Sequence, residues 1–236
     1  LTPRIMSDQK TQMRYMLANA VHFGHKSTKW NPKMAPYLYG VRDGVHIFDL
    51  NKTFVGLIEA KNFLKLACSQ GKTVLMVSTK QQCADLLQSQ AEACKMPYVT
   101  KRWIPGLLTN FKTVRARVKY MQKLRDERDN GGFEKYTKKE ALEFGKEIEK
   151  LEYALSGVEH MERTPDIVFV VDVCRDKISV QEARKVGAKV VAIVDSNSDP
   201  DYVDYIIPGN DDAIKAITYI VNEISDAIKE GKLAKK

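Results

Sequence analysis

The side chains best suited to chemistry gather in one stretch, Ala20–Leu50, AVHFGHKSTKWNPKMAPYLYGVRDGVHIFDL. It holds three of the four histidines (His22, His25, His46), one of the two tryptophans (Trp30), and the cations Lys26, Lys29, Lys33 and Arg42. His22 and His25 are spaced H-x-x-H. Two imidazoles can begin a zinc site, which needs four ligands, or three and an open position. Aspartates from 195–204 could complete it if the fold brings them near. The plainer reading gives one histidine a hydrogen bond within its own stretch and the other RNA or water, with no metal. Ammonium groups beside flat rings suit a phosphate-rich partner, since cations meet phosphates while rings stack on bases or riboses. The competing reading is a loop packed on its own domain with its lysines in water.

A second cationic stretch runs Lys101-Arg102-Trp103-Ile104-Pro105-Gly106-Leu107-Leu108-Thr109-Asn110 and continues into Phe111-Lys112-Thr113-Val114-Arg115. Nine Lys or Arg and two acids lie between Lys101 and Arg128. A loop with paired cations and an indole, leading into a basic helix N-terminus, is suited to gripping a phosphate backbone. Toward Asp129 the balance of charges reads instead as a solvated helix. Between residues 190 and 212 there are six aspartates and no Lys or Arg. That acidic edge should face solvent, a metal or a basic partner protein.

Other motifs are incomplete. Gln70-Gly71-Lys72-Thr73 resembles the end of a P-loop, but Leu66 stands where its first glycine must be and a strand follows the lysine. Asp195–Asp201 resembles a calcium loop, but Pro200 replaces the turning glycine and Ile206 the closing glutamate. No G-x-G-x-x-G occurs, and no nucleophile, base and orienting acid share a spacing that supports catalysis. The sequence therefore points to a protein that is not an enzyme and has no cofactor. The alternative is an α/β enzyme or small-molecule binder using the loop 195–212.

Around these residues stands an ordinary globular frame. The chain has 236 residues, a net charge of +8 and 44% hydrophobic residues. The positive balance favours an anionic partner. No apolar run is long enough to cross a bilayer, and no secretory signal core opens the chain. It begins at Leu1 rather than Met, so a start or a processed segment is expected upstream. Cys68, Cys83, Cys94 and Cys174 have no close pair and read as reduced thiols of a cytosol-like compartment.

The pattern predicts a helix over 8–19 capped by Ser7, with Met13, Met16 and Leu17 on one face. An irregular loop follows, held extended by Asn31-Pro32 and Ala35-Pro36. A short strand at 45–50 and a helix from an Asn51 cap to about Ser69 come next. Thr73–Ser78, Ile167–Val171 and Val190–Val194 are apolar runs of strand length, as in a parallel sheet buried on both faces. Helices at 80–93, about 178–186 and 211–230 alternate with them, and short strands are expected at Tyr98-Val99 and Tyr205–Ile207. This is an α/β fold with helices on both faces of a parallel sheet. Residues 110–155 interrupt it. Val114, Val118, Met121 and Leu124, then Phe144, Ile148, Leu151 and Leu155, make two narrow stripes. With Thr137 and Glu140 as a capping box, they predict an inserted antiparallel helical hairpin, leaving 1–109 and 156–236 as the globular domain.

Residues 22–53, HFGHKSTKWNPKMAPYLYGVRDGVHIFDLNKT, resemble the opening motif of the ribosomal protein S2 (uS2) family in its bacterial or organellar form. Arg102-Trp103, Gly106 and Leu108-Thr109-Asn110 resemble its next motif, with Ile104-Pro105 departing from the commoner form. Thr164–Asp172 with Glu182-Ala183, and Ile193–Asp201 with Ile207–Ile214, resemble two later ones in the same order. The likeness implies a flavodoxin-like α/β domain with an inserted coiled-coil hairpin, built into cytoplasmic or organellar small ribosomal subunits. It implies rRNA contacts by His22, Lys26, Lys29, Trp30, Asn31, Lys33, Lys101, Arg102, Trp103, Thr109, Asn110, Lys112 and Arg115, with Trp30 and Trp103 as stacking faces. Implied partners are rRNA and neighbouring small-subunit proteins, the large mRNA-binding protein S1 among them on the acidic or hairpin side. No membrane and no homo-oligomer are expected.

Overall fold

The computed structural model describes residues 3–234. Its centre is a five-stranded parallel sheet made of β4 (Val74–Val77), β5 (Tyr98-Val99), β6 (Ile167–Val170), β7 (Lys189–Val194) and β8 (Tyr205–Pro208). The spatial order β5-β4-β6-β7-β8 is 2-1-3-4-5 for these five strands, the flavodoxin-like order, whose switch point lies between its first and third strands.

Strand alternation sends two sets of side chains to two cores. Val74, Met76, Phe169, Val191 and Ile193 join one cluster. Its helical side comes from α2 (Leu50–Ser69), α3 (Ala84–Ala93) and α7 (Ile214–Leu233). Leu75, Val77, Val168, Val170, Val190 and Ala192 join the other. That second core is closed by α6 (Lys177–Lys185) and the roots of α4 (Phe111–Asp129) and α5 (Lys138–Leu155). Each fully buried Val or Leu contributes about 1.5–3 kcal/mol relative to exposure, so strands buried on both faces anchor the sheet.

Several local expectations shift. The first helix, α1, runs Pro3–Ala18, which puts Ser7 inside it rather than at a cap. Met16 is buried, but Leu17 is 54% exposed, because adjacent residues on a helix stand about 100° apart. The cap of α2 is Asp49, whose carboxylate accepts from the Asn51 amide at 2.9 Å, rather than Asn51. In α4 and α5, Val114, Val118, Met121, Leu124, Ile148 and Leu155 are buried, and the Thr137/Glu140 capping box is formed.

The stretch 20–50 is not an irregular loop. It contains β1 (Phe23–Lys26), β2 (Leu38–Arg42) and β3 (Val45–Phe48) in an antiparallel sheet of order β1-β3-β2. Asp43 and Gly44, at φ 51° and 75°, make the two-residue turn between β2 and β3, where two positive φ angles match the twist of a hairpin. The prolines do not hold an extended run either. Pro32–Tyr37 is 3-10 helical with Asn31 as its cap, since proline fits the first position of a helix.

Candidate nucleic-acid interface

The loop 101–110 leaves the carboxyl end of β5. It closes around one buried side chain, Glu182 on α6. Glu182 Oε1 accepts from the Trp103 indole N–H at 3.1 Å and from the Gly106 amide at 2.7 Å. Its Oε2 accepts from the amides of Leu108 (3.0 Å) and Thr109 (3.1 Å) and from the Thr109 hydroxyl (3.1 Å). Gly106 takes φ 90°, a region glycine enters without a Cβ penalty. Burial pushes the Glu182 carboxyl up, but these hydrogen bonds outweigh it and hold the group below its ordinary range.

This arrangement corrects two expected roles. Trp103 is only 8% exposed, and its ring packs in the second core, so it offers no stacking face. The Gly106, Leu108 and Thr109 amides of the loop hold a carboxylate of the same chain. Thr109 is spent on Glu182. In the sequence Glu182 is visible only as part of a family motif, not as the organiser of this loop.

The stretch 20–50 docks on the carboxyl ends of the strands through the aspartate loop. The His25 and Asn31 amides donate to Ser196 Oγ (2.8 Å) and the Ser196 carbonyl (2.7 Å). His25 Nδ1 lies 3.1 Å from Asp195, and Nε2 lies 3.3 Å from Asp212. Lys33 Nζ pairs with Asp199 at 2.9 Å and Asp201 at 2.5 Å. Beneath them, at the switch point, the buried Lys80 ammonium lies 3.2 Å from Asp172, 3.2 Å from Asp211 and 2.7 Å from Asp212. It also donates to the Asp211 carbonyl. The acidic edge is thus met by the chain's own His25, Lys33 and Lys80.

His25, Asp195 and Asp211 do bring ligand atoms within 4.8 Å of one another. The hydrogen bond to Asp195 raises the His25 pKa to about 9, burial opposes, and the charges of Asp195, Asp211 and Asp212 add to the rise. A metal ion there would compete with the ring proton, because only neutral imidazole has a lone pair to offer. His22 takes no part: its ring lies against Phe23 at 4.1 Å, and its Nδ1 is buried without a partner among the described residues. Burial lowers its pKa.

Of the expected contact residues, Lys26, Lys29, Lys101, Arg102 and Lys112 are exposed. Trp30 is 36% exposed and lies against His46, ring centroids 4.8 Å apart. Asn31 accepts from the Lys33 amide, Asn110 from the Thr113 hydroxyl, and Arg115 donates to the Glu159 carbonyl. Met34 and Phe48 share the second core with Trp103 and Leu107, so one packed unit positions both cationic stretches along the same edge of the sheet.

Fold and edge together define a flavodoxin-order α/β protein whose ligand crevice is filled by its own ion pairs and whose free cations look outward. A family model described as Ribosomal protein S2 matches residues 16–231. The small ribosomal subunit protein uS2 of Dictyoglomus thermophilum is 46% identical over 220 residues, covering 93% of this chain and 89% of its own. That of Coprothermobacter proteolyticus is 46% identical over 220 residues (93% and 82%). That of Francisella philomiragia is 46% identical over 216 residues (92% and 90%). The chain belongs to the ribosomal protein S2 family.

Proposed function

We propose that the protein is a structural constituent of the small ribosomal subunit, seated on its rRNA and against neighbouring ribosomal proteins. The observation that carries this is the near full-length match to relatives named as that subunit's uS2 protein. The site is consistent with it. Exposed Lys26, Lys29, Arg102 and Lys112 are free to neutralise phosphates, Lys101 has only the solvent-exposed Asp85 at 4.0 Å, and Trp30 keeps part of its ring open. The chain works as a scaffold rather than an enzyme: at the switch point, where α/β folds hold ligands, Lys80 and its aspartates fill the crevice. Residues 110–155 act as an inserted unit, and its helices offer the surface for a large partner such as S1, because the acidic edge is occupied internally.

Sucrose-gradient sedimentation of a native lysate at low and high salt tests the reading. Co-migration with small subunits, weakened by salt, is expected. Migration only at the top of the gradient at both salts would sink it.

A further inference from the structure

We infer that the outer face of the small sheet β1-β3-β2 is a stacking platform for an unpaired RNA base. In β3, His46 and Phe48 are buried while Val45 and Ile47 are half-buried, so the latter two point away from the core. Directly paired residues share a face, and the register therefore sets out two rows across the three strands. Phe23, Ile47 and Gly40 form an apolar row; Lys26, Val45 and Arg42 form a row with a cation at each end. The rows lie two residues apart along β2 and β3, roughly 7 Å; in β1 a register shift between Phe23 and Lys26 adds a third residue and keeps both on this face.

Three features of these rows suit a nucleotide. The Phe23 ring is 44% exposed. Gly40 needs no glycine for packing or turning: a Cβ there would meet nothing within 4 Å, and its φ is not positive. What the missing side chain does is leave the face flat beside Ile47. The row that would lie under the backbone carries Lys26 and Arg42 and no acid; Asp43 at the turn lies 3.9 Å from the Arg42 guanidinium, both side chains open to solvent. A ring, a flat apolar floor and flanking cations are what sequence-tolerant single-strand binding uses. A partner protein adding a strand at the β2 edge would need neither the flat floor nor the cations.

The inference rests on the ribosomal reading, so its test separates the two. Full-length protein is titrated with a short single-stranded oligoribonucleotide carrying 2-aminopurine, with an RNA duplex of equal length, and with small subunits stripped of this protein. Wild type is expected to quench the 2-aminopurine and to prefer the single strand. Phe23→Ala should weaken single-strand binding roughly 5- to 150-fold, Phe23→Trp should restore it, and Phe23→Leu, which keeps apolar area without a ring, should not. Gly40→Ile covers the floor without touching the core and should also abolish quenching, which keeps the test informative should Phe23→Ala fold poorly.

Unchanged binding in Phe23→Ala and Gly40→Ile, or full rescue by Leu, overturns the platform. If both variants still rejoin stripped subunits with wild-type affinity, the ribosomal reading survives that failure. Wild type that rejoins no subunits overturns both. Variants that keep RNA but lose a crosslink to a ribosomal protein assign the face to protein and overturn the platform.

Discussion

The indole N–H of Trp103 donates to Glu182 across 79 residues of sequence, and three backbone amides of the same loop converge on that carboxylate. A loop whose composition reads as a phosphate grip is an anion nest already filled from within. Lys101 and Arg102 of the same loop stand exposed at the surface.

Removing the anion should loosen the whole loop. Hydrogen bonds to a charged group contribute about 1.5–3 kcal/mol each, though not additively. Glu182→Ala is expected to cost about 3–5 kcal/mol in urea denaturation, and Glu182→Gln less, since its amide oxygen can still accept. Because the folded carboxyl titrates below its ordinary 4.5, its stabilisation is present above that pH and lost as pH falls through the folded pKa. The gap between wild type and Glu182→Ala should therefore close in acid. A gap independent of pH would show that the charge is not what organises the loop.

His25 gives the opposite sign. Its pKa is raised from 6.5 to about 9, so its contribution is full below 6.5 and disappears as pH rises through about 9. Allowing for partial solvent exposure, His25→Ala should cost about 1–2 kcal/mol at pH 6 and little at pH 10. An NMR titration of the imidazole in wild type checks the midpoint directly. A midpoint near 6.5 would mean that the carboxylates do not hold the ring charged.

The parts of the fold that can be read from sequence are those whose signal is local. The runs Val74–Val77 and Ile167–Val170 are apolar at every position, and the stripe Val114, Val118, Met121, Leu124 repeats at helical spacing, so burial follows from pattern alone. Of the small sheet only β3 is legible, as the short run from Val45; although Asp43-Gly44 is a hairpin turn signal, the prolines and glycines around it hide β1 and β2, four and five residues long. Glu182 and the pairs of His25 and Lys33 with the aspartate loop cannot be found that way. Each joins residues more than seventy positions apart, and a charge that will be paired looks the same in sequence as one that will meet RNA. Trp103 and Trp30 illustrate the same limit, one buried and one part-exposed.

The crevice beneath His25 should respond to mutation as a buried charge cluster. Lys80 is 8% exposed and touches three aspartates, so Lys80→Met should cost about 3–5 kcal/mol by leaving their charges unpaired. Asp211 behaves differently. Burial first, then the charges of Asp195 and Asp172, push it up to about 7 against the pull of Lys80. A carboxyl raised from its ordinary 3.8 erodes stability as pH climbs toward that value. Asp211→Asn should accordingly gain on wild type by about 2–3 kcal/mol between pH 5 and pH 8. Thermal melts at the two pH values measure it, and a loss at pH 8 would show that the ion pair with Lys80 outweighs the repulsion.

The cations divide into those already paired and those left over, and salt dependence tells them apart. Removing one cation that neutralises a phosphate should reduce the slope of log K against log salt by about 1. Lys33 is held by Asp199 and Asp201, so Lys33→Ala should leave the slope for rejoining stripped small subunits unchanged, while weakening the dock of the 20–50 stretch. Lys29 and Arg102 are exposed and have no acid within 4 Å among the described ion pairs. Lys29→Ala and Arg102→Ala should each lower the slope by about 1 without changing the melting temperature. Equal slopes for all three variants would mean that exposure in the free chain does not select the side chains that meet phosphate. A lowered slope for Lys33→Ala alone would mean that RNA displaces the two aspartates and takes the lysine for itself.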